Sequence, residues 1–115
     1  MTTRLFNSAD FLQPTDEAPI RSIITQSKDQ VIIAWHIKPE QEIPAHIHPN
    51  GQDTWTILAG NGLYYLDASG TTQAISAGDV VVAHTGEVHG VVNKVNEPLI
   101  FISVVSPVDA GYQLS

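Results

Sequence analysis

At 115 residues the chain is long enough for one domain with its own core and short for two. A hydrophobic fraction of 43% against 15% charged residues argues against a disordered chain. The absence of cysteine excludes disulfides, thiolate metal sites and a cysteine nucleophile. Twelve Asp and Glu against five Lys and Arg leave a net charge of −7 with no basic stripe, so neither nucleic acid nor an anionic membrane is expected as a partner.

The first residues, "MTTRLFNSADFLQPTDE", lack the apolar centre of a signal peptide, and no apolar run reaches membrane-spanning length. A cytoplasmic protein is expected. Residues 1–20 read as partly irregular: Asn7 or Ser8 can cap one helical turn, and Pro14 limits its length.

From there the pattern is β. The runs "RSIITQ", "QVIIAWHIK", "TWTILAG", "LYYLD", "TQAIS", "DVVVAH", "HGVVNKV" and "PLIFISVV" are rich in Val, Ile, Tyr, Trp and Thr. "KPEQEIP", "GNG", "DASG" and "SAGD" read as the turns between them, with Gly60, Gly62 and Gly78 as turn residues. Strands at this spacing predict an all-β sandwich or small antiparallel β-barrel. "VIIAW" and "DVVVA" are apolar at both parities, which predicts strands covered on both faces. Of the adjacent Tyr64 and Tyr65, only one can face inward. "LIFISVVSP" reads as a buried strand ending at Pro107, followed by a tail, "VDAGYQLS", that drapes over this chain or a partner subunit.

The stretch "PAHIHPNGQD" carries the chemistry. On a strand, residues i and i+2 point the same way, so His46 and His48 share a side, their Cα atoms about 6.5 to 7 Å apart. Imidazoles at that separation can converge on one ion at about 2.0–2.1 Å. Asp53 follows the bend "PNG" and can add an oxygen, and His89, in "HTGEVHGVVN", offers a third imidazole if distant strands pair. Alone, His-x-His is weak evidence, because two polar residues on a wet strand face give the same pattern. Three nitrogens and one oxygen would leave open positions on a five- or six-coordinate ion, the mark of a catalytic metal site.

Residues 40–93 resemble the cupin family, small β-barrels of the double-stranded β-helix, jelly-roll type. The family's first motif, G-x5-H-x-H-x4-E-x6-G, spans residues 40–60, with His46, His48 and Gly60 matching. Glu40 stands for its first Gly and Asp53 for its Glu. The second motif, G-x5-P-x-G-x2-H-x3-N, spans 78–93, with Gly78, Gly86, His89 and Asn93 matching and His84 in place of Pro. Seven of the ten fixed positions agree.

The resemblance implies one divalent transition metal ion (Fe, Mn, Ni, Co, Zn or Cu) held by His46, His48, His89 and Asp53. Asp53 is one methylene shorter than Glu, so the ion would sit closer to its strand or be reached through water. Gln52, Trp55, His84 and Asn93 are candidates for the pocket or for support of the ligands. If Asp53 faces inward, alternation sends Trp55 and Ile57 with it, and Trp55 is then a pocket wall or simply core. His36 is not expected to be a ligand, and Glu87 reads as surface. Glu40, unlike Gly, is expected to avoid positive φ and so to change the turn type.

Two functional classes follow from the resemblance. One is a metal-dependent enzyme on a small organic substrate, with an oxygenase, dioxygenase-like, as the leading expectation and an isomerase or lyase as alternatives. The other is a binding or sensing module that holds its ligand without turning it over. A homodimer is implied in either case.

Overall fold

Alternating apolar and polar residues make strands. In the computed structural model, which describes residues 2–115, they make ten. These are β1 (Ser22–Gln26), β2 (Val31–Ile37), β3 (Glu42–Ile47), β4 (Gln52–Ala59), β5 (Asn61–Tyr65), β6 (Thr72–Ser76), β7 (Val80–Ala83), β8 (His89–Val92), β9 (Leu99–Ser106) and β10 (Gln113–Leu114). One 3₁₀ turn, Ser8–Phe11, precedes them. Asn7 caps it by accepting from the Ala9 N–H at 3.1 Å, and the chain is extended again at Leu12, before Pro14.

The strands form two five-stranded antiparallel sheets, in the orders β1-β2-β9-β4-β7 and β10-β3-β8-β5-β6. They remain two layers rather than one closed barrel, which makes the fold a jelly-roll double-stranded β-helix. Both layers feed the core: Ile37, Trp55, Ile57, Leu99 and Phe101 from the first meet Ile43, Tyr64, Ile75 and Val91 from the second. Strand β4 shows how parity sorts side chains. Asp53, Trp55 and Ile57 are buried between the sheets, and Gln52, Thr56 and Leu58 face out. Tyr64 is the buried member of the tyrosine pair.

Several expectations are corrected. Strand β7 lies at a sheet edge with its outward face bare, so Val80 is 61% exposed and the "DVVVA" run is covered on one side only. A continuous apolar run specifies strand but not the presence of a second layer. The stretch read as the turn "KPEQEIP" gives way to strand at Glu42, and Pro44 is tolerated because the β3–β8 register slips between Ile43 and His46. Gly62 lies inside β5, where a Cβ would come within 2.8 Å of Val91 Cγ2.

Glu40 does take positive φ, at 71°. Its N–H donates to the Asn93 carbonyl at 2.7 Å, and its carboxylate pairs with Lys94 at 2.9 Å. Anchoring of this kind can offset the modest cost of a left-handed residue.

Candidate metal centre

The second sheet supplies the imidazoles. His46 and His89 are direct partners across the β3–β8 ladder, ring centroids 4.1 Å apart, and the His48 ring is 5.1 Å from His46 and 5.0 Å from His89. His48 lies just past the end of β3. The first sheet supplies the carboxylate, since Asp53 on β4 points between the layers. Sequence-distant segments meet because the sandwich faces β3 and β8 toward β4.

Each imidazole is pinned by a backbone carbonyl. Nδ1 of His46 donates to Pro44 O at 2.7 Å, that of His48 to Gly111 O at 2.7 Å, and that of His89 to Glu87 O at 3.0 Å. A carbonyl oxygen only accepts, so Nδ1 carries the proton in all three rings. Every Nε2 is therefore left facing the others, with a lone pair in the neutral ring and a proton to donate only if the ring is charged. Ser103 Oγ donates to Asp53 Oδ1 at 2.6 Å, leaving Oδ2 against Nε2 of His89 at 3.1 Å and of His48 at 3.3 Å.

The outcome is four electron-pair donors turned inward, all within 4.8 Å of one another. Acceptors facing acceptors repel, so a positive charge belongs among them. Either extra protons sit on the imidazoles or one cation is shared by all four. Atoms bonded to a common ion at 2.0–2.2 Å lie at most about 4.4 Å apart, so the set closes on an ion with small ring rotations. The carboxylate, though shorter than Glu, reaches the cluster directly. Three nitrogens and one oxygen without sulfur suit Fe(II), Mn(II), Co(II), Ni(II), Cu(II) or Zn(II).

The electrostatics agree. Burial, then the neighbouring His89, push His46 down to about 4, so it is neutral at pH 7. Burial alone would raise Asp53, but the bonds from His48, His89 and Ser103 outweigh it and hold the carboxyl well below the usual carboxylate range. Burial likewise pulls His48 down, and its bonds to Asp53 and Gly111 outweigh that and raise it.

A cavity of about 800 Å³ opens onto the cluster. Its walls include Ile33, Trp35, Ile43, Trp55 and Val105, and His46, His48, Asp53 and Ser103 form its polar end. Trp55 is both wall and core: it stacks on Phe101 at 4.2 Å and lies 6.0 Å from the His89 ring.

The other candidates are placed elsewhere. Gln52 is exposed on the outward face of β4. His84 is exposed and its ring is bonded to Glu87 at 2.8 Å; the His84 backbone N–H, and after it the ring, lower the Glu87 carboxyl. Asn93 is fully buried, but its amide donates to the Ile37 and Glu97 carbonyls at 2.9 and 2.8 Å and so fixes a loop. None of the three lines the cavity. His36 has its Nδ1 buried without a partner and lies outside the cluster.

Sequence reasoning passed over Ser103, Gly111 and Tyr112. Ser103 left a signal, as the polar residue at the inward parity of Leu99, Phe101 and Val105. The tail left none, since its part is played by a backbone carbonyl. It drapes over its own chain, placing the Tyr112 ring 4.9 Å from His46.

A double-stranded β-helix with inward-facing histidines on adjacent strands and an acidic residue opposite them defines the cupin class. The cupin domain family matches residues 34–105, more than half of the chain, and this protein belongs to that family. It is similar over 99% of its length, at 41% identity and a TM-score of 0.95, to 98% of an uncharacterized conserved protein with a double-stranded β-helix domain from Klebsiella pneumoniae. Lower similarity, which speaks to fold alone, links it to the polyketide cyclase RemF of Streptomyces resistomycificus (18% identity, 99% of this chain and 85% of that one, TM-score 0.81). The same holds for a predicted oxalate decarboxylase from Thermotoga maritima (20% identity, 91% and 100%, TM-score 0.74). No curated protein matched.

Proposed function

We propose that this cupin binds one divalent transition metal ion through His46, His48, His89 and Asp53 and acts, as an enzyme, on a small organic molecule held in the adjoining cavity. The observation that carries the reading is the common tautomer: three Nδ1–H groups satisfied by backbone carbonyls leave three Nε2 atoms and one carboxylate oxygen gathered within 4.8 Å of one another. A single cation shared by the four satisfies that arrangement without extra protons on the rings.

A bound ion of this kind supplies Lewis acidity toward a substrate oxygen and, where redox-active, a centre for chemistry with dioxygen. The chain's own residues do the rest. Trp35, Trp55, Ile33 and Val105 exclude water and favour a largely apolar body. Arg21 is the one Lys or Arg among the cavity-lining residues, and it forms no ion pair among the described residues, which favours a ligand with an anionic or oxygen-rich end. An oxygenase is the leading reaction type. The fold does not choose it, since the similar structures include a polyketide cyclase and a predicted oxalate decarboxylase.

The second reading is a binder that does not turn its ligand over. What favours it is the shortage of proton-transfer groups on the wall: Glu42 is engaged by the Tyr65 hydroxyl, leaving Asp109 and Tyr112 beyond the cluster itself. In either reading the protein is proposed to be a cytoplasmic homodimer, which sedimentation would check.

The test has two stages. Elemental analysis of protein purified without chelator or affinity tag should find close to one equivalent of a transition metal; a metal-free protein that cannot be reconstituted rejects the metal reading. Oxygen consumption with catechols, flavonols, thiols and β-diketones then separates enzyme from binder. Thermal stabilisation by a compound that is never consumed would favour the binder.

A further inference from the structure

Beyond Ala110 the chain is held in an unusual way. Ala110 is an anchor, buried against Val31, Ile33 and Val105, and its carbonyl accepts from the Asn50 N–H at 2.8 Å. Gly51 makes room for it, since a Cβ there would come within 2.4 Å of Ala110 Cβ. The five residues that follow bury none of their own surface deeply: all are exposed, Tyr112 by 59%. They are tied down by the two-residue strand β10, which sets Gln113 beside Ile47 and Leu114 beside His46, and by the Ser115 N–H donating to Ala45 O at 3.1 Å.

Their remaining contacts converge on the cluster. Gly111 O receives the His48 Nδ1–H, and the Tyr112 ring lies 4.9 Å from His46 and 6.2 Å from His48. Gly111 and Tyr112 also line the cavity. His48 lies beyond the end of β3, and among the described residues the only hydrogen bonds of its ring are those to Gly111 and Asp53. A ring with so little support needs that carbonyl to keep Nε2 on the cluster.

We propose that residues 111–115 are a strap whose docking is coupled to metal binding: the docked strap orients His48 and closes one side of the cavity with Tyr112, and an ion in the cluster holds the strap down in return. This rests on the metal reading above. The coupling is reciprocal by thermodynamic necessity, because an ion that binds the docked form more tightly must favour docking. Few backbone bonds at an exposed edge strand set against the entropy of five residues make a balance that one ligand can tip. Gly111 is the positioning residue. Its φ of +81° aims the carbonyl at His48, a conformation that Asn tolerates and Val does not.

Three measurements on Zn(II) binding test the strap. In the full chain, hydrogen exchange of the Gly111–Ser115 amides should slow when Zn(II) is added. By chelator competition, Gly111→Val should weaken Zn(II) binding about 10- to 100-fold, the usual cost of losing a hydrogen-bond partner of a ligating histidine. Gly111→Asn should restore most of that affinity. A chain ending at Ala110 should match Gly111→Val. Unchanged exchange on adding Zn(II), or equal affinity in the native chain and Gly111→Val, overturns the strap while leaving the metal reading intact. A native chain that binds neither Zn(II) nor any other transition metal removes both.

Discussion

Ser103 Oγ donates to Asp53 Oδ1 at 2.6 Å from the neighbouring strand, and this one bond decides which carboxylate oxygen meets the imidazoles. Asp53 pairs with Val105 in register, so Ser103 reaches it along the diagonal of the β4–β9 ladder. Ser103→Ala removes a charge-assisted bond to a buried carboxylate, which costs roughly 1.5–3 kcal/mol. Urea unfolding of the metal-free protein should show that loss, and metal affinity should fall about tenfold because the carboxylate is freed to rotate. Unaltered stability and affinity would mean that Asp53 is oriented by something other than Ser103.

The cluster should discriminate sharply between histidines. His46→Ala, His48→Ala and His89→Ala each remove a donor and should abolish stoichiometric binding, whereas His84→Ala should leave it intact, because His84 is exposed and engaged with Glu87. Gln52→Ala should be equally silent. In the native protein a saturating ion should raise stability by about 2.7 kcal/mol at 100 times its Kd, a gain reversed by chelator. Loss of binding in His84→Ala at undiminished stability would place the site elsewhere.

How far this site could be read from the sequence depended on which physical term set each feature. Strand periodicity grouped Asp53, Trp55 and Ile57 on one face, because parity is a local property of extended backbone, and the motif resemblance said that this face is the inner one. The pairing of His46 with His89 was reachable only through the motif spacing, since register between distant strands is a tertiary fact. Three features stayed hidden. Exposure of Val80 depends on the absence of a covering layer, positive φ at Glu40 on its bonds to Asn93 and Lys94, and the role of Gly111 on a backbone oxygen that any sequence would carry. Asn93 and His84 show the converse: a place in the motif does not make a residue a ligand, and here one holds a loop and the other faces solvent.

Acid should weaken the metal-free protein in a defined window. The folded value of His46, about 4, lies below its ordinary 6.5, so between those values the unfolded chain takes up a proton that the folded one refuses. Stability therefore falls as pH drops through that window, by roughly 3 kcal/mol as an order of magnitude. His48 is shifted the other way, and its contribution is complete below 6.5 and lost only as pH rises through its raised value. Asp53 is held low, and its contribution is lost only below its ordinary 3.8. Neither masks the slope from His46. Urea midpoints across the window should decline in the native protein and much less in His46→Gln, and equal slopes would assign the effect to other groups.

The two tryptophans give the site an optical signature. Trp35 and Trp55 both line the cavity, and Trp55 lies 6.0 Å from the His89 ring. A paramagnetic ion with a partly filled d shell quenches indole emission at such range, whereas Zn(II), with its d shell full, has no such path. One equivalent of Cu(II) or Co(II) should therefore quench most of the emission of Trp35→Phe, in which Trp55 alone reports, and Zn(II) should leave it bright. Zn(II) added first should block the quenching, because the ions compete for the same four donors. Quenching that survives saturating Zn(II) would put Cu(II) at another place. Stabilisation by Cu(II) without any quenching would show that the ion sits far from Trp55, outside the sandwich.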